Sequence, residues 1–241
     1  MRSVGDNRQS RDDLGKVVAR LTDDAPMDRR TRAGLLGRLA LLLGRGGRRM
    51  VDAVIDVVPH LPVRDRATLH AHHPGLDDDQ LAALLVASAT RMTAAIGAAG
   101  GMLSTVEMAA PPLLLTAPVQ VAAETLAVVA VEIKLIAELH EVYGRGPAGP
   151  PATRAAAYLG AWVRRRGIDP FGEGKGRWSG VISGAARREL RQRLMRRAGR
   201  NVTTIMPFLA GAVAGAALNQ RETKKLGDRI LADLRPHPRS R

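Results

Sequence analysis

Apolar residues along this chain recur at three- and four-residue intervals, and no strict alternation persists long enough to outweigh the helical pattern. After a potential cap at Asp28, Leu35, Leu36, Leu39, Leu42 and Leu43 recur at helical spacing, and Gly44 ends the run. Val51, Val54, Ile55 and Val58 line one face of the next helix, which Pro59 stops, so a helical hairpin is expected here. A short helix over residues 14–21 precedes this pair, and the polar residues 1–12 are expected to be disordered. Residues 61–75, bracketed by Pro62 and Pro74, predict a connection holding one short helix.

The long apolar stretch 80–144 organises the rest. Residues 81–98 are rich in Ala and Leu, with Arg91 as their single charge; Gly97, Gly100 and Gly101 are then expected to loosen or break the helix before a second segment runs to Ala110. Pro111 and Pro112 close that segment. Pro118 suits the first turn of a long helix over 119–143, and Gly144 suits its end. At about 100° per residue, Glu124, Lys134, Glu138 and Glu141 share a sector of this helix, while Glu132 is a misfit among Val128, Val129, Val131, Ile133 and Ile136.

Beyond the Pro/Gly linker 146–151, a helix over 153–166 carries Tyr158, Leu159 and Trp162 towards one face, and 169–176 is a loop. A basic amphipathic helix is expected over 183–198. The uncharged segment 201–220 reaches the length of a membrane span and holds a G-x-x-x-G pair at Gly211 and Gly215. Its modest apolar density favours a packed helical hairpin divided at Pro207, followed by a separate charged helix over 221–234. The expected fold is all-α: a single multi-helix bundle domain with a long central helix pair and helical hairpins. Its expected organisation is a disordered 1–12, an N-terminal hairpin and connection over 13–76, the main helical domain over 77–235 and a basic tail over 236–241.

Composition sharpens this picture. Aromatic residues make up only 2% of the chain, so the core must be built from Ala, Leu, Val, Ile and Met. The formal charge of +14 suggests an anionic partner, nucleic acid or lipid, although part of the Arg excess is what a GC-rich genome encodes by default. The charge is also uneven: residues 77–141 carry a net −6 and residues 164–200 a net +9. The absence of Cys excludes disulfides, thiolate zinc sites and a cysteine nucleophile. The first twenty residues, interrupted by Asp6, Asp12 and Asp13, hold no apolar signal region, and a cytoplasmic location is expected.

Candidate chemistry is sparse. His70, His72 and His73 with Asp77, Asp78 and Asp79 have metal-ligand character, but Asp77 as a helix cap with acidic residues in the first turn is the simpler reading. Gly172, Gly174, Lys175 and Gly176 lack the frame of a phosphate loop, and His140 has neither the Glu three residues before it that a di-iron bundle needs nor the second His of a zinc protease. Glu107, Glu124 and Glu132 stand in apolar surroundings, where burial could tune a carboxylate for acid or base work. Pairing with Arg or Lys, or capping of broken helices, is the commoner use. No catalytic, cofactor or metal residue is assigned, and no enzymatic activity is expected.

Two motif segments carry a family resemblance. Gly100-Gly-Met-Leu-Ser-Thr-Val-Glu107 leads through Thr125 into Ile136-Ala-Glu-Leu-His-Glu-Val-Tyr143-Gly144, and Gly211-Ala-Val-Ala-Gly215-Ala-Ala-Leu-Asn219 precedes a charged helix. Over roughly residues 80–235 the chain resembles the EcsC-like family of bacterial proteins. The resemblance implies an all-helical domain linked to membrane transport or secretion and supplies no active site; the heavily basic insert between the two segments departs from the family pattern. The residues themselves suggest peripheral attachment to the inner face of the cell membrane. Arg187, Arg188, Arg191, Arg193, Arg196, Arg197 and Arg200 would meet anionic lipid, and an unidentified membrane protein would be the partner. All six aromatics lie in the same half of the chain, which suits an interface. Gly211, Gly215 and Asn219 are the helix-packing candidates. Integral insertion through 201–220 and non-specific nucleic-acid binding are the alternatives, the latter with few aromatics for base stacking.

Overall fold

The computed structural model describes residues 4–23, 27–46, 50–109, 117–165 and 210–235. Among the described residues there are eight α-helices and no strand: α1 (Val4–Leu21), α2 (Arg29–Gly46), α3 (Met50–Val57), α4 (Arg66–His72), α5 (Asp78–Ala109), α6 (Ala117–Val142), α7 (Pro151–Arg165) and α8 (Ala210–Leu234), with a 3-10 turn at Val58–His60. The all-α bundle expected from the periodicity is what forms.

Helix ends follow local chemistry. The Asp28 carboxylate accepts from Thr31 N at 2.9 Å, and Asp65 accepts from Thr68 N at 2.8 Å, each satisfying an orphan donor of a first turn. At the start of α5, Asp77 accepts from Gln80 N at 2.7 Å while the Gln80 side chain accepts from Asp77 N at 3.1 Å, a reciprocal capping box. Helix α6 stops at Gly144, whose φ of 62° is a left-handed conformation that glycine adopts without strain. There Gly144 N donates to Glu141 O at 3.0 Å and Arg145 N to His140 O at 2.7 Å, a Schellman motif.

Helix α6 is the axis of the bundle. Every residue from 125 to 139 is buried, so the helix is enclosed on all sides, as its apolar composition requires. Helices α5 and α8 cover one side, and α2, α3 and α7 pack on the rest. The most extensive packing joins α5 to α8. These two run antiparallel, since Gly97 meets Gly215 near one end while Asp79 bonds to Arg235 at the other.

Several boundaries differ from expectation. Helix α1 begins at Val4, so residues 4–12 are helical rather than disordered. Gly97, Gly100 and Gly101 do not interrupt α5, which is continuous over 32 residues. Helices α2 and α3 each lie on α6, and α2 also packs on α1 and α5, while the turn of the expected hairpin lies outside the described residues. No boundary falls at residue 220, because α8 continues from Ala210 to Leu234, and the other half of the expected 201–220 hairpin lies outside the described residues. Among the described residues, the helix with the length and composition to cross a membrane is α5, over Asp78–Gly100 with mean hydropathy 1.5. More than half of that stretch, 56%, is buried inside the bundle.

Candidate functional site

The polar residues of α6 meet partners from four other parts of the chain. Near the start of the helix, Asn219 of α8 donates through Nδ2 to Glu124 Oε1 and to Thr93 O of α5, each at 3.4 Å. Gly100 leaves room for the Glu124 carboxylate, and a Cβ there would collide with it. A Cβ on Gly97 would stand 2.8 Å from the Gly215 carbonyl and from Asn219 Nδ2. The small residues therefore let α5 and α8 approach closely enough for one asparagine to bridge three helices.

Two turns further along α6, Glu132 is completely buried, at 0% exposure. The Trp162 indole donates to its Oε2 at 2.8 Å, and the Thr223 hydroxyl donates to its Oε1 at 3.1 Å. A buried carboxylate needs such donors, and here they come from α7 and α8, so the bond pattern fixes where both helices sit on α6. Trp162 and Tyr158 are core residues, not free for a membrane interface; Tyr158 donates to Glu141 Oε1 at 3.1 Å. Desolvation, and then the Glu141 charge, push the Tyr158 phenol upward.

A third group lies on the side facing the N-terminal helices. Arg64 grips Glu138 in a bidentate pair, with Nε to Oε1 and Nη2 to Oε2 both at 2.9 Å, and its backbone N adds a contact at 3.3 Å. Lys134 donates to Thr22 O at 2.9 Å and stands 3.8 Å from Glu138. A cavity of about 20 Å³ bordered by Thr22, Lys134 and Glu138 has room for a single water. Glu138 and Lys134 lie in the polar sector that they share with Glu124 and Glu141, and both are buried because the chain from α1 to α4 covers that side.

The acidic run before α5 divides into separate tasks. Asp77 caps the helix, Asp78 accepts from Arg66 at 2.8 Å and sits 3.0 Å from His70 Nε2, and Asp79 accepts from Tyr143 and Arg235. The bond from Tyr143 lowers the Asp79 pKa, and desolvation together with Asp79 pushes the Tyr143 phenol up to about 12. Among the described residues, no three His, Asp or Glu side chains gather as metal ligands.

Of the residues singled out from the sequence, the structure thus brings Glu124, Gly215 and Asn219 together and sets Glu132 apart with Thr223 and Trp162. Glu107 lies on α5 and Gly211 on α8, with their surroundings outside the described residues. Arg187, Arg188, Arg191, Arg193, Arg196, Arg197 and Arg200 also lie outside the described residues. Sequence reasoning missed Thr223, one helical turn beyond Asn219, and Arg64, for which no local spacing gives a signal. Chemically, the arrangement accepts hydrogen bonds and fixes helix positions. Comparisons of the chain with protein-family models, with curated proteins and with solved structures find no match.

Proposed function

We propose that this chain is a non-enzymatic helical protein that attaches to the inner face of the cell membrane through the basic residues of 187–200 and there supports a membrane-bound partner. The observation that carries this reading is the segregation of charge. Residues 164–200 hold a net +9, whereas the carboxylates of α6 are turned inward onto Asn219, Trp162, Thr223 and Arg64. Arg165 pairs with Asp233 at one end of α8, and α8 begins at Ala210, its other end. At ~1.5 Å per residue these two points are roughly 35 Å apart, and both flanks of the basic segment belong to one helical body. An anionic membrane surface attracts each nearby Arg by about 1 kcal/mol, enough for several to hold a protein reversibly.

Membership of the EcsC-like family belongs to the same proposal. It is supported by the meeting of the two motif segments around Glu124, Gly100 from the first and Gly215 and Asn219 from the second. Co-sedimentation with vesicles rich in anionic lipid tests the attachment. The variant carrying Arg188→Glu, Arg191→Glu and Arg193→Glu should bind at least ~100-fold more weakly while keeping its helical circular dichroism. Undiminished binding by that folded variant rejects the basic segment as the membrane contact.

A further inference from the structure

Helices α1 and α2 border a solvent-open groove of about 670 Å³, within the ~300–1,000 Å³ usual for small-molecule sites. Its floor is apolar, formed by Val17 and Leu35, which are buried. Its rim is cationic: Lys16 and Arg20 stand one turn apart on α1, and Arg38 faces them from α2, against the single acid Asp13. Among the described residues, none of these three cations is ion-paired. Leu41 also lines the groove and is 59% exposed, one of only two large apolar side chains so exposed among the described residues. An apolar floor and lip beside three cations and one acid, a net positive rim, is the complement of an acyl chain ending in an anion.

We propose that this groove binds a single-chain amphipathic anion, a fatty-acid carboxylate or a lysophospholipid phosphate. The chain would lie on Val17, Leu35 and Leu41, and the head group would meet Lys16, Arg20 and Arg38. Like charge argues against the basic segment 187–200 as the occupant. The site is independent of the membrane attachment proposed above, since it uses the N-terminal helices alone.

The test is displacement of a fluorescent fatty-acid analogue from the full chain, below the micelle concentration, by oleate, by lysophosphatidate, by oleyl alcohol and by inorganic phosphate. Oleate and lysophosphatidate should displace it, the stronger of the two naming the head group, while the alcohol and the phosphate should be at least tenfold weaker. Arg20→Glu combined with Arg38→Glu, both at exposed positions, should weaken binding at least tenfold with unchanged circular dichroism. The variant reversed at Arg188, Arg191 and Arg193 should bind oleate like the unaltered chain, even if the attachment reading fails. Absence of binding, equal displacement by oleyl alcohol, an unaffected Arg20/Arg38 variant, or loss of binding in the Arg188/Arg191/Arg193 variant would each overturn the proposal. Absence of binding together with a dimer in sedimentation would give the groove to a second copy of the chain.

Discussion

Glu138 illustrates how much a single buried charge depends on its partner. Its side chain is 4% exposed and is held by Arg64 through two bonds of 2.9 Å. Removing one member of such a pair leaves a charge in a place it cannot be hydrated, which costs about 3–5 kcal/mol. Arg64→Ala should therefore lower unfolding free energy by roughly 3 kcal/mol in urea titration, with Lys134 at 3.8 Å compensating only in part. Arg64→Lys should recover little, because a single ammonium cannot reproduce the planar fork. A loss below about 0.5 kcal/mol for Arg64→Ala would mean that Glu138 is hydrated in solution. At Glu132, Trp162→Phe removes the indole donor and should cost about 1–3 kcal/mol by the same measurement.

His140 gives the account a pH dependence. Its ring is desolvated, which lowers its pKa from the ordinary value of 6.5, while its Nδ1 contacts Ile136 O at 2.7 Å. The unfolded chain then takes up a proton at higher pH than the folded one. Stability contributed by the neutral ring is present above about 6.5 and is lost as pH falls from there towards the folded-state pKa. Thermal melting at pH 7 and pH 5 should show a drop for the natural chain and a smaller drop for His140→Gln. Equal drops would mean that His140 titrates alike in both states. Asp79, also lowered, acts in a separate and more acidic window, below its ordinary 3.8.

At the scale of elements, the α5–α8 seam is set by glycine. A Cβ at Gly97 would come within 2.8 Å of the Gly215 backbone, which cannot swing aside as a side chain can. Gly97→Ala should destabilise by about 1–3 kcal/mol through forced separation of the helices. Gly37 on α2 is the matched control, because a Cβ there meets nothing within 4 Å. Gly37→Ala should stabilise by about 0.5–1 kcal/mol, the usual preference for alanine inside a helix. If Gly97→Ala raises the urea midpoint as Gly37→Ala does, the close α5–α8 approach is wrong.

Those glycines also mark where the sequence stops being informative. Gly97 and Gly100 spaced along an apolar run suggest a weakened helix, because local propensity contains no term for a neighbour 118 residues away. In the structure the lost propensity is offset by contacts with Gly215, Asn219 and Glu124. Caps at Asp28 and Asp77 and the stop at Gly144 were legible, since each depends on residues within one turn. Glu132 was legible as a misfit because it interrupts a valine and isoleucine run, but its donors were not, lying 30 and 91 residues away. The burial of Lys134 and Glu138 was hidden for a similar reason: a helical wheel shows which faces are polar, not that the N-terminal helices close over a polar one.

For the whole molecule, the proposed attachment rests on the charge that remains after the core is satisfied. The core carboxylates are bonded within the bundle, and in the proposed attachment the net +9 of residues 164–200 would meet the anionic surface. Attachment of this kind is electrostatic, so it should weaken as salt shortens the screening length from about 8 Å at physiological ionic strength to about 3 Å at 1 M. Insertion of α5 or of residues 201–220 would instead survive both salt and alkali. The decisive measurement is fractionation of native cell lysate, with the membrane pellet washed first in high salt and then in alkaline carbonate. The account predicts that the protein pellets with membranes at physiological salt and is released by the salt wash. Retention through the carbonate wash, or recovery in the soluble fraction from the outset, would contradict it.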